Sequence, residues 1–312
     1  MIEIKNVSKR YGGKYVVRDA SFSVQKGEVV GFLGRNGAGK STTMNMITGY
    51  ISTTAGSISI DGYDILKNPY EAKRQIGYLP ENPPLYMDMT VEEYLRFCCD
   101  VKRVNRKYIK KHLDDITELT GLVHVRGRLI RNLSKGYKQR TGLAQALIGN
   151  PEVIILDEPT VGLDPTQIIE IRSLIRRLGE DHTVILSSHI LPEVSEVCEK
   201  FIVINEGRIV AQDTLANLTG SSDGRMRMLV RAAGPEAEGK AALLSVDGVH
   251  ACECLGSTED GMLDYQVELE KDSRAAVFEK LAACRIPVVL MKPMDETLED
   301  IFLRLTQEEM SK

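Results

Sequence analysis

The sequence predicts an α/β protein in which a large domain built on a parallel sheet is followed by a smaller α+β domain. Short apolar runs of strand length alternate with helical patterns over roughly the first two-thirds of the 312 residues. A glycine-rich segment follows one of these runs directly. Turn-forming residues at 220–224 then separate this part from the remainder. We therefore expect a main domain at residues 1–220 and an accessory domain at residues 221–312.

Four apolar runs have the length and composition of buried strands. Because helical patterns separate them, they are typical of a parallel sheet that helices cover on both faces. The runs are Val29–Leu33, Val153–Leu156, Val184–Ser187 and Phe201–Ile204. Near the start, Ile2–Val7, Ser21–Val24 and Ser57–Ile60 alternate between apolar and polar residues and predict a smaller antiparallel sheet.

The segment at residues 83–148 is charged and lacks buried-strand runs, which predicts a helical subdomain. Thr90 and Glu93 have the spacing of a capping box, so a helix is expected to begin there and to continue to about Val101. A second helix is predicted over Lys107–Leu119.

The last part of the chain has the element order of a small ferredoxin-like α+β domain. The predicted strands are Met226–Ala232, Val249–Leu255, Leu263–Leu269 and Pro287–Met291, and the predicted helices are Glu236–Ser245, Arg274–Cys284 and Leu298–Thr306.

Composition and charge exclude some classes of protein. The net charge of −4 argues against a nucleic-acid partner, which usually requires a basic excess. Cys252 and Cys254 could form half of a metal site, but unpaired thiols in a reducing compartment are the favoured interpretation of the six cysteines. The start of the chain lacks the apolar segment of a signal peptide, and no apolar run is long enough to span a membrane. We expect a soluble, cytoplasmic protein, for which any contact with a membrane would go through a partner.

Residues 34–41, GRNGAGKS, fit the phosphate-binding pattern G-x-x-x-x-G-K-[ST]. They follow the strand Val29–Leu33 and precede a helical stretch, which makes a chance glycine-rich turn improbable. Backbone N–H groups of such a loop point at phosphates, a lysine supplies charge, and a hydroxyl binds Mg²⁺. The predicted ATP-binding residues here are Gly34, Arg35, Asn36, Gly37, Ala38, Gly39, Lys40, Ser41 and Thr42, with Ser41 also a Mg²⁺ ligand.

Two carboxylates end the apolar run Val153–Leu156. Asp157 is expected to bind Mg²⁺ through water, and Glu158 to act as the general base that polarises the attacking water. A strand that ends in solvated acids is the alternative for this segment taken alone.

Three further motifs complete a pattern: Leu133–Arg140 reads LSKGYKQR, Gly162–Asp164 reads GLD, and Ser187–His189 reads SSH. In this order, and with the two motifs above, they resemble the signature (LSGGQ), the D-loop and the switch histidine of ABC-type ATP-binding subunits. The resemblance covers most of the larger domain, from Tyr11 to His189. It implies a P-loop ABC nucleotide-binding domain and ATP hydrolysis by a dimer.

The resemblance also assigns roles to single residues. Tyr11 would stack on adenine, although Tyr15 is a rival. His189 would hydrogen-bond the γ-phosphate, as a second catalytic residue beside Glu158.

The signature residues would act on the other subunit. Ser134 and Gly136 would contact the γ-phosphate that the other subunit binds, and Asp164 would lie near the dimer seam. Since both halves of a site are intact in one chain, the resemblance implies a homodimer.

Two departures from the broad family resemble one bacterial branch. Glu81 occupies the usual glutamine position of the Q-loop, where it would contact ATP, water or Mg²⁺, and Lys135 and Tyr137 replace signature residues. These residues and the ending Glu296–Phe302 resemble exporter ATPases of the drug-resistance, sodium-efflux and gliding-motility types. The branch implies ATP and Mg²⁺ as cofactors and an integral membrane permease as partner, with the helical subdomain and Glu81 forming its docking groove.

Two questions stay open at this level. A soluble ABC ATPase acting on ribosomes or DNA is the alternative function, disfavoured because only one phosphate-binding loop and no coiled coil or zinc module is present. The accessory domain is predicted to brace the dimer, and the alternative is a packing appendage without a ligand.

Overall fold

The structure is a computed structural model that describes residues 1–219, 226–258, 260–270 and 272–294. These residues form two compact units, with the division between Leu215 and Ala216. The predicted linker at residues 220–224, the predicted helix Leu298–Thr306 and the ending Glu296–Phe302 lie outside the described residues. Within the described ranges, no helix combines the length and the apolar character that crossing a bilayer requires.

The first unit contains two sheets and the helices that pack on them. Its elements are β1 (Ile2–Tyr11), β2 (Lys14–Val24), β3 (Val29–Leu33), α1 (Lys40–Ile47), β4 (Ala55–Ile60), β5 (Tyr63–Asp64), α2 (Pro69–Arg74), β6 (Ile76–Leu79), α3 (Val91–Val101), α4 (Arg106–Leu119), α5 (Lys135–Leu147), β7 (Val153–Asp157), α6 (Pro165–Asp181), β8 (Thr183–Ser188), α7 (Leu191–Ser195), β9 (Lys200–Asn205) and β10 (Arg208–Thr214), and α8 (Leu215–Thr219) follows.

The six-stranded sheet has the order β10-β9-β3-β8-β7-β6. All its pairings are parallel except β10 with β9. Every residue of β7 and β8 is buried, which explains why both strands are almost continuously apolar. Because β3, β7 and β8 are parallel neighbours, their carboxyl ends meet at one edge of the sheet. The predicted parallel sheet is confirmed, and this edge collects the loops that follow Leu33, Asp157 and Ser188.

The second sheet is antiparallel, with the order β2-β1-β4-β5. Its apolar face, the parallel sheet and α1 share one core, in which Ile2, Ile60, Met44 and Ile47 are fully buried. Each such side chain contributes about 1.5–3 kcal/mol relative to an exposed one. This core fixes α1, and therefore the loop that precedes it, against both sheets.

Residues between β6 and β7 form the helical subdomain that the sequence predicts. The capping box is present, because Thr90 Oγ1 accepts from Glu93 N at 3.2 Å and Glu93 Oε2 accepts from Thr90 N at 2.8 Å. Short 3-10 turns at Val123–Val125 and Ile130–Asn132 lead into α5.

Within its described residues, the second unit is a four-stranded antiparallel sheet with two helices, which matches the four predicted strands and the first two of the three predicted helices. Its elements are β11 (Met226–Ala232), α9 (Glu236–Leu244), β12 (Val249–Ser257), β13 (Leu263–Leu269), α10 (Arg274–Ala283) and β14 (Val288–Pro293). The order β12-β13-β11-β14 is the ferredoxin-like arrangement. Tyr265 and Leu281 lie in its core, while Arg231 pairs with Asp264 on β13 through two hydrogen bonds, at 2.7 and 2.9 Å.

Candidate active site

The glycine-rich loop curls between β3 and α1. Gly39 has φ of 111°, a conformation that favours glycine, and it directly precedes the helix. A Cβ atom on Gly34 would lie 2.6 Å from the carbonyl oxygen of Ile204, so the loop can approach β9 only because a hydrogen stands there. No side chain caps the start of α1. Its first N–H groups and the positive end of its dipole therefore suit an anion such as phosphate.

Lys40 is buried within this loop. Its Nζ donates to the carbonyl oxygen of Gly34 at 2.8 Å, and it lies 3.7 Å from Glu158 Oε1. The ammonium group is thus held by the loop itself, at the point where an incoming phosphate would need a cation.

The carboxylate of Asp157, at the end of β7, is 3% exposed. It accepts a short hydrogen bond from Ser187 Oγ on β8. The same hydroxyl accepts from Glu158 N at 3.1 Å. Ser187 therefore fixes both acidic residues at the sheet edge. Because Asp157 is buried and has no ion pair among the described residues, the hydrogen bond from Ser187 is expensive to lose.

Glu158 is the second carboxylate of the edge. It is buried, its backbone has φ of 49°, and its Oε2 lies 2.8 Å from His189 Nδ1. Non-glycine residues in this left-handed conformation concentrate at functional sites, where the surrounding structure holds them. The carboxylate thus lies between the ammonium of Lys40 and the imidazole of His189.

A cavity of ≈ 390 Å³ is lined by Lys40 and Glu158, whereas the predicted site residues Gly34, Ala38, Asp157 and His189 are not among its described lining. Glu81, which follows β6, lines it beside Lys40 and Glu158. The predicted site residues among its lining are Arg35, Asn36, Gly37, Gly39, Lys40, Ser41, Thr42, Glu81 and Glu158, and Val16 and Val161 line it as well. Hydroxyl and carboxylate oxygens at Ser41, Glu81 and Asp157 match the hard donors that Mg²⁺ prefers, with substrate phosphates supplying the rest.

A second cavity of ≈ 990 Å³ adjoins the first and shares Val16 and Gly37 with it. Tyr15 lines this second cavity, with the Arg18 guanidinium 5.3 Å from its ring centre. Tyr11 ends β1, is 50% exposed and has the Lys9 ammonium 5.2 Å from its ring centre. Both aromatic rings therefore remain available for a base.

The signature segment packs against the D-loop of its own chain and does not line either cavity. Ser134 caps α5 by accepting from Tyr137 N at 3.4 Å, and Asp164 caps α6 by accepting from Gln167 N at 3.0 Å. A Cβ atom on Gly136 would lie 2.5 Å from Gln167 Oε1.

Two more contacts hold the signature segment in this position. Lys135 Nζ lies directly over Gly162, so that a Cβ atom there would displace the end of the lysine side chain. Arg140 joins α5 to its neighbours, because it donates to the Thr120 carbonyl oxygen at 3.0 Å and pairs with Glu170 on α6.

Sequence reasoning missed several residues of this region. Ser187 was noted only as part of a motif, although a hydroxyl at the end of an otherwise apolar buried strand is a signal for a buried partner. Thr160, which donates to Glu193 Oε2 at 2.6 Å, joins the loop after Glu158 to the helix after His189. No local pattern announces that pair, because 33 residues separate its members.

Comparisons with known proteins show which family the chain resembles. A family model described as "ABC transporter" matches residues 17–161. The chain is 33% identical over 315 residues to the linearmycin resistance ATP-binding protein LnrL of Bacillus subtilis, covering 98% of both chains.

Two solved structures are similar to part of this chain. An ATP-binding subunit of an ABC transporter has a TM-score of 0.64 and 34% identity, covering 70% of this chain and 91% of its own. The ATP-binding cassette MJ0796, a dimer in a post-hydrolysis state bound to ADP and Pi, has a TM-score of 0.63 and 25% identity, covering 69% of this chain and 98% of its own.

Proposed function

The chain belongs to the ATP-binding proteins of ABC transporters, and from this premise we propose that it pairs with a second ATPase subunit to drive a separate permease in export. It is an ATPase of the P-loop type. The observation that carries the proposal is the cluster of Lys40, Glu158 and His189 at one edge of the parallel sheet.

The glycine-rich loop would bind the ATP phosphates. On binding, the Lys40 ammonium exchanges the Gly34 carbonyl oxygen for phosphate oxygens, and the first N–H groups of α1 complete the cradle. The geometry favours this exchange because the loop already holds the lysine in place, so little side-chain entropy is lost.

Glu158 would act as the general base. Its carboxylate is buried and fixed by His189, which suits it to orient one water for in-line attack on the γ-phosphorus and to accept a proton. Ser41 would hold Mg²⁺ directly, and Asp157 and Glu81 would hold it through water. The bound ion would neutralise the negative charge of the β- and γ-phosphates.

His189 would report the state of the γ-phosphate. Its Nδ1 is engaged by Glu158, which leaves Nε2 for a phosphate oxygen. Loss of the γ-phosphate would remove that partner and release the segment that follows β8.

Adenine would stack on Tyr11 in the assignment that motif position favours, and Tyr15 is the alternative that the cavity lining favours. The substitutions Tyr11→Ala and Tyr15→Ala separate the two. The variant that lacks the stacking residue should bind ATP more weakly by about 0.5–1.5 kcal/mol, in addition to the loss of buried ring surface. The other variant should bind ATP nearly as the wild type does. Equal losses would assign neither residue alone.

The signature residues would complete the site of the other subunit. Ser134, Gly136 and Asp164 do not line the cavity of their own chain, so they are free to meet a nucleotide from the opposite side. ATP would then bind between the two chains and close the dimer, and hydrolysis would reopen it.

A permease helix would dock next to Glu81. Tyr86 and Phe97, 5.4 Å apart between ring centres, expose 49% and 39% of their surface just after the Q-loop. Exposed aromatic residues of this kind are typical anchors of a protein interface. Docking here would place the protein at the cytoplasmic face of the membrane, and the resemblance to a linearmycin resistance protein supports export.

The test uses Glu158→Gln, which keeps the shape of the side chain and removes its basic carboxylate. We expect Mg²⁺-ATP to drive this variant into a stable dimer on size exclusion with light scattering, and hydrolysis to fall by about 10²–10⁴-fold. The control Glu180→Gln, at an exposed site on α6, should behave as the wild type. A monomer with full turnover would contradict the proposed chemistry.

The partner is tested separately by purifying the tagged wild-type chain from gently solubilised membranes. Recovery of a polytopic membrane protein at near-equal amounts would support the permease. Recovery of ribosomes or nucleic acid instead would overturn the transport role and leave the ATPase chemistry intact.

A further inference from the structure

A third cavity lies on the first unit, away from the phosphate-binding loop. Its volume is ≈ 590 Å³, and α2, the end of α3, the start of α4 and the loop before β7 surround it. Among the residues that the structure describes, its lining contains four Lys or Arg side chains and His112, but no Asp or Glu. The cavity therefore has the charge of a site for anions.

The cations of the cavity belong to a larger surface, which we call the basic patch. Its members are Lys73, Arg74, Lys102, Arg103, Arg106, Lys107, Lys110 and Lys111. All except Lys102 are exposed. Residues 101–113 contain no Asp or Glu, although acidic residues outnumber basic ones in the whole chain, 44 to 40.

The basic patch lacks internal neutralisation. Across the described ranges, none of its eight cations forms an ion pair with a carboxylate. Four other arginines of the helical subdomain, Arg96, Arg126, Arg131 and Arg140, each pair with one, whereas Arg128, Lys135 and Lys138 have no ion pair among the described residues. What distinguishes the basic patch is the clustering of eight unpaired cations on one surface.

The position of these charges does not serve the helix that carries them. Four cations lie in the first two turns of α4, where the helix dipole disfavours positive charge, and the first turn has no acidic residue. Positive charges at this end destabilise α4, so their presence indicates that they interact with a partner outside the helix.

Aromatic rings lie among the cations. Tyr70 is 52% exposed and Tyr108 56% exposed. The guanidinium groups of Arg74 and Arg103 lie 5.9 and 5.8 Å from the ring centre of Tyr70. Tyrosine, with an apolar ring and a polar tip, is suited to the headgroup layer of a membrane.

From these observations we propose that the basic patch binds the anionic headgroups of a lipid bilayer directly, with the cavity seating a lipid phosphate. Long, exposed cations on three neighbouring elements suit a surface of mobile lipid phosphates. Binding to such a surface depends on the density of positive charge and does not require fixed ion pairs. Val101, 64% exposed beside them, adds an apolar contact at the interface. The binding goes beyond docking to a permease and does not require one.

Vesicle binding of the purified full-length chain tests the proposal. We expect binding to vesicles that contain phosphatidylglycerol and none to vesicles of phosphatidylcholine alone, with affinity falling as added salt shortens the screening length. The variant Lys107→Gln/Lys110→Gln/Lys111→Gln keeps helix propensity while removing three charges. At about fivefold per charge, it should lose roughly a hundredfold in affinity.

The matched control removes three exposed lysines outside the patch, Lys5→Gln/Lys26→Gln/Lys240→Gln, so that net charge changes equally. It should retain vesicle binding within a few-fold, and both variants should keep the ATPase rate of the wild type in solution. Absence of binding at low salt, or equal losses in the two triple variants, would overturn the proposal.

A protein partner gives a different outcome. If wild-type chain ignores anionic vesicles while the patch variant alone loses a co-purifying permease, the patch binds an acidic protein segment and the lipid proposal fails. Because the vesicles contain no permease, failure of the permease partnership would leave the vesicle result unchanged.

Discussion

A substitution at Ser187 tests how the acidic residues Asp157 and Glu158 are fixed at the end of β7. The change Ser187→Ala removes a fully buried hydroxyl that donates to the Asp157 carboxylate and accepts from Glu158 N. The methyl group of alanine fits the vacated space, so the effect isolates hydrogen bonding from packing.

The structure sets the expected size of the effect. A hydrogen bond to a charged group contributes about 1.5–3 kcal/mol, and a buried carboxylate that loses its donor pays the desolvation cost in full. The bond from Glu158 N is largely replaceable, because that N–H also lies 3.2 Å from the Ser187 carbonyl oxygen. We therefore expect a loss of about 1.5–3 kcal/mol in the free energy of unfolding, seen as a lower urea midpoint with an unchanged slope.

The neighbouring residue provides a matched control. Ser188 is on the same strand, is 2% exposed, and accepts a single neutral hydrogen bond from Ile190 N at 3.0 Å. Ser188→Ala should therefore cost only about 0.5–1.5 kcal/mol. If the two substitutions destabilise the protein equally, or if Ser188→Ala is the worse, the account of a charge-assisted bond to Asp157 is wrong.

A functional measurement tests the same contact. Residues that orient metal-binding carboxylates typically change metal affinity by about 10–100-fold when removed. In Ser187→Ala the Mg²⁺ concentration that half-activates ATP hydrolysis should rise by that factor, whereas nucleotide affinity without Mg²⁺ should not change. An unaltered Mg²⁺ titration would show that Ser187 does not orient Asp157 for the metal.

Three further outcomes are expected. Gly34→Ala should abolish ATP binding and lower stability by about 1–3 kcal/mol, because its Cβ would overlap the Ile204 carbonyl oxygen; isothermal titration and urea melts with normal values would refute this. Burial lowers the pKa of His112, whose Nε2 accepts from Gly149 N at 2.9 Å, so the neutral form is favoured in the folded state. Stability should therefore be full above pH ~6.5 and decline as the pH falls through the lowered pKa, and His112→Gln should flatten that decline in urea melts between those values. Thr90→Ala should cost about 0.5–2 kcal/mol through loss of the α3 cap, with circular dichroism reporting an earlier thermal transition than wild type.

The fold was predictable from the sequence where a single local pattern decides the structure. Apolar runs such as Val153–Leu156 have no alternative to burial, and strand, loop and helix around Lys40 occur in the order that a phosphate-binding loop requires. The capping box at Thr90 is likewise a contact between near neighbours. Short elements such as β5 and α2 were not anticipated, since two to six residues carry too little periodicity.

Contacts between distant residues could not be read in the same way. The bridge from Ser187 to Asp157 spans 30 residues and depends on two strands becoming parallel neighbours. Whether Tyr11 or Tyr15 meets the base depends on how the β1–β2 hairpin lies over the loop, which no spacing specifies. In the basic patch, six of the eight cations form a run at residues 102–111 that the sequence itself shows, whereas Lys73 and Arg74 join them only through the fold, because α2 lines the same cavity.

The packing of the signature segment on its own D-loop has a mechanical consequence. Three contacts connect the first half of α5 to the D-loop and to the first half of α6. Lys135 lies over Gly162, Gly136 lies against Gln167, and Arg140 pairs with Glu170. In a dimer of the proposed kind, the signature segment would contact the nucleotide of the other subunit. The same segment packs on the D-loop, which follows Glu158 in its own chain. A movement of the loop after Glu158 at one site would then move the signature segment that contacts the other site. The two sites would therefore hydrolyse ATP in alternation or together, but not independently.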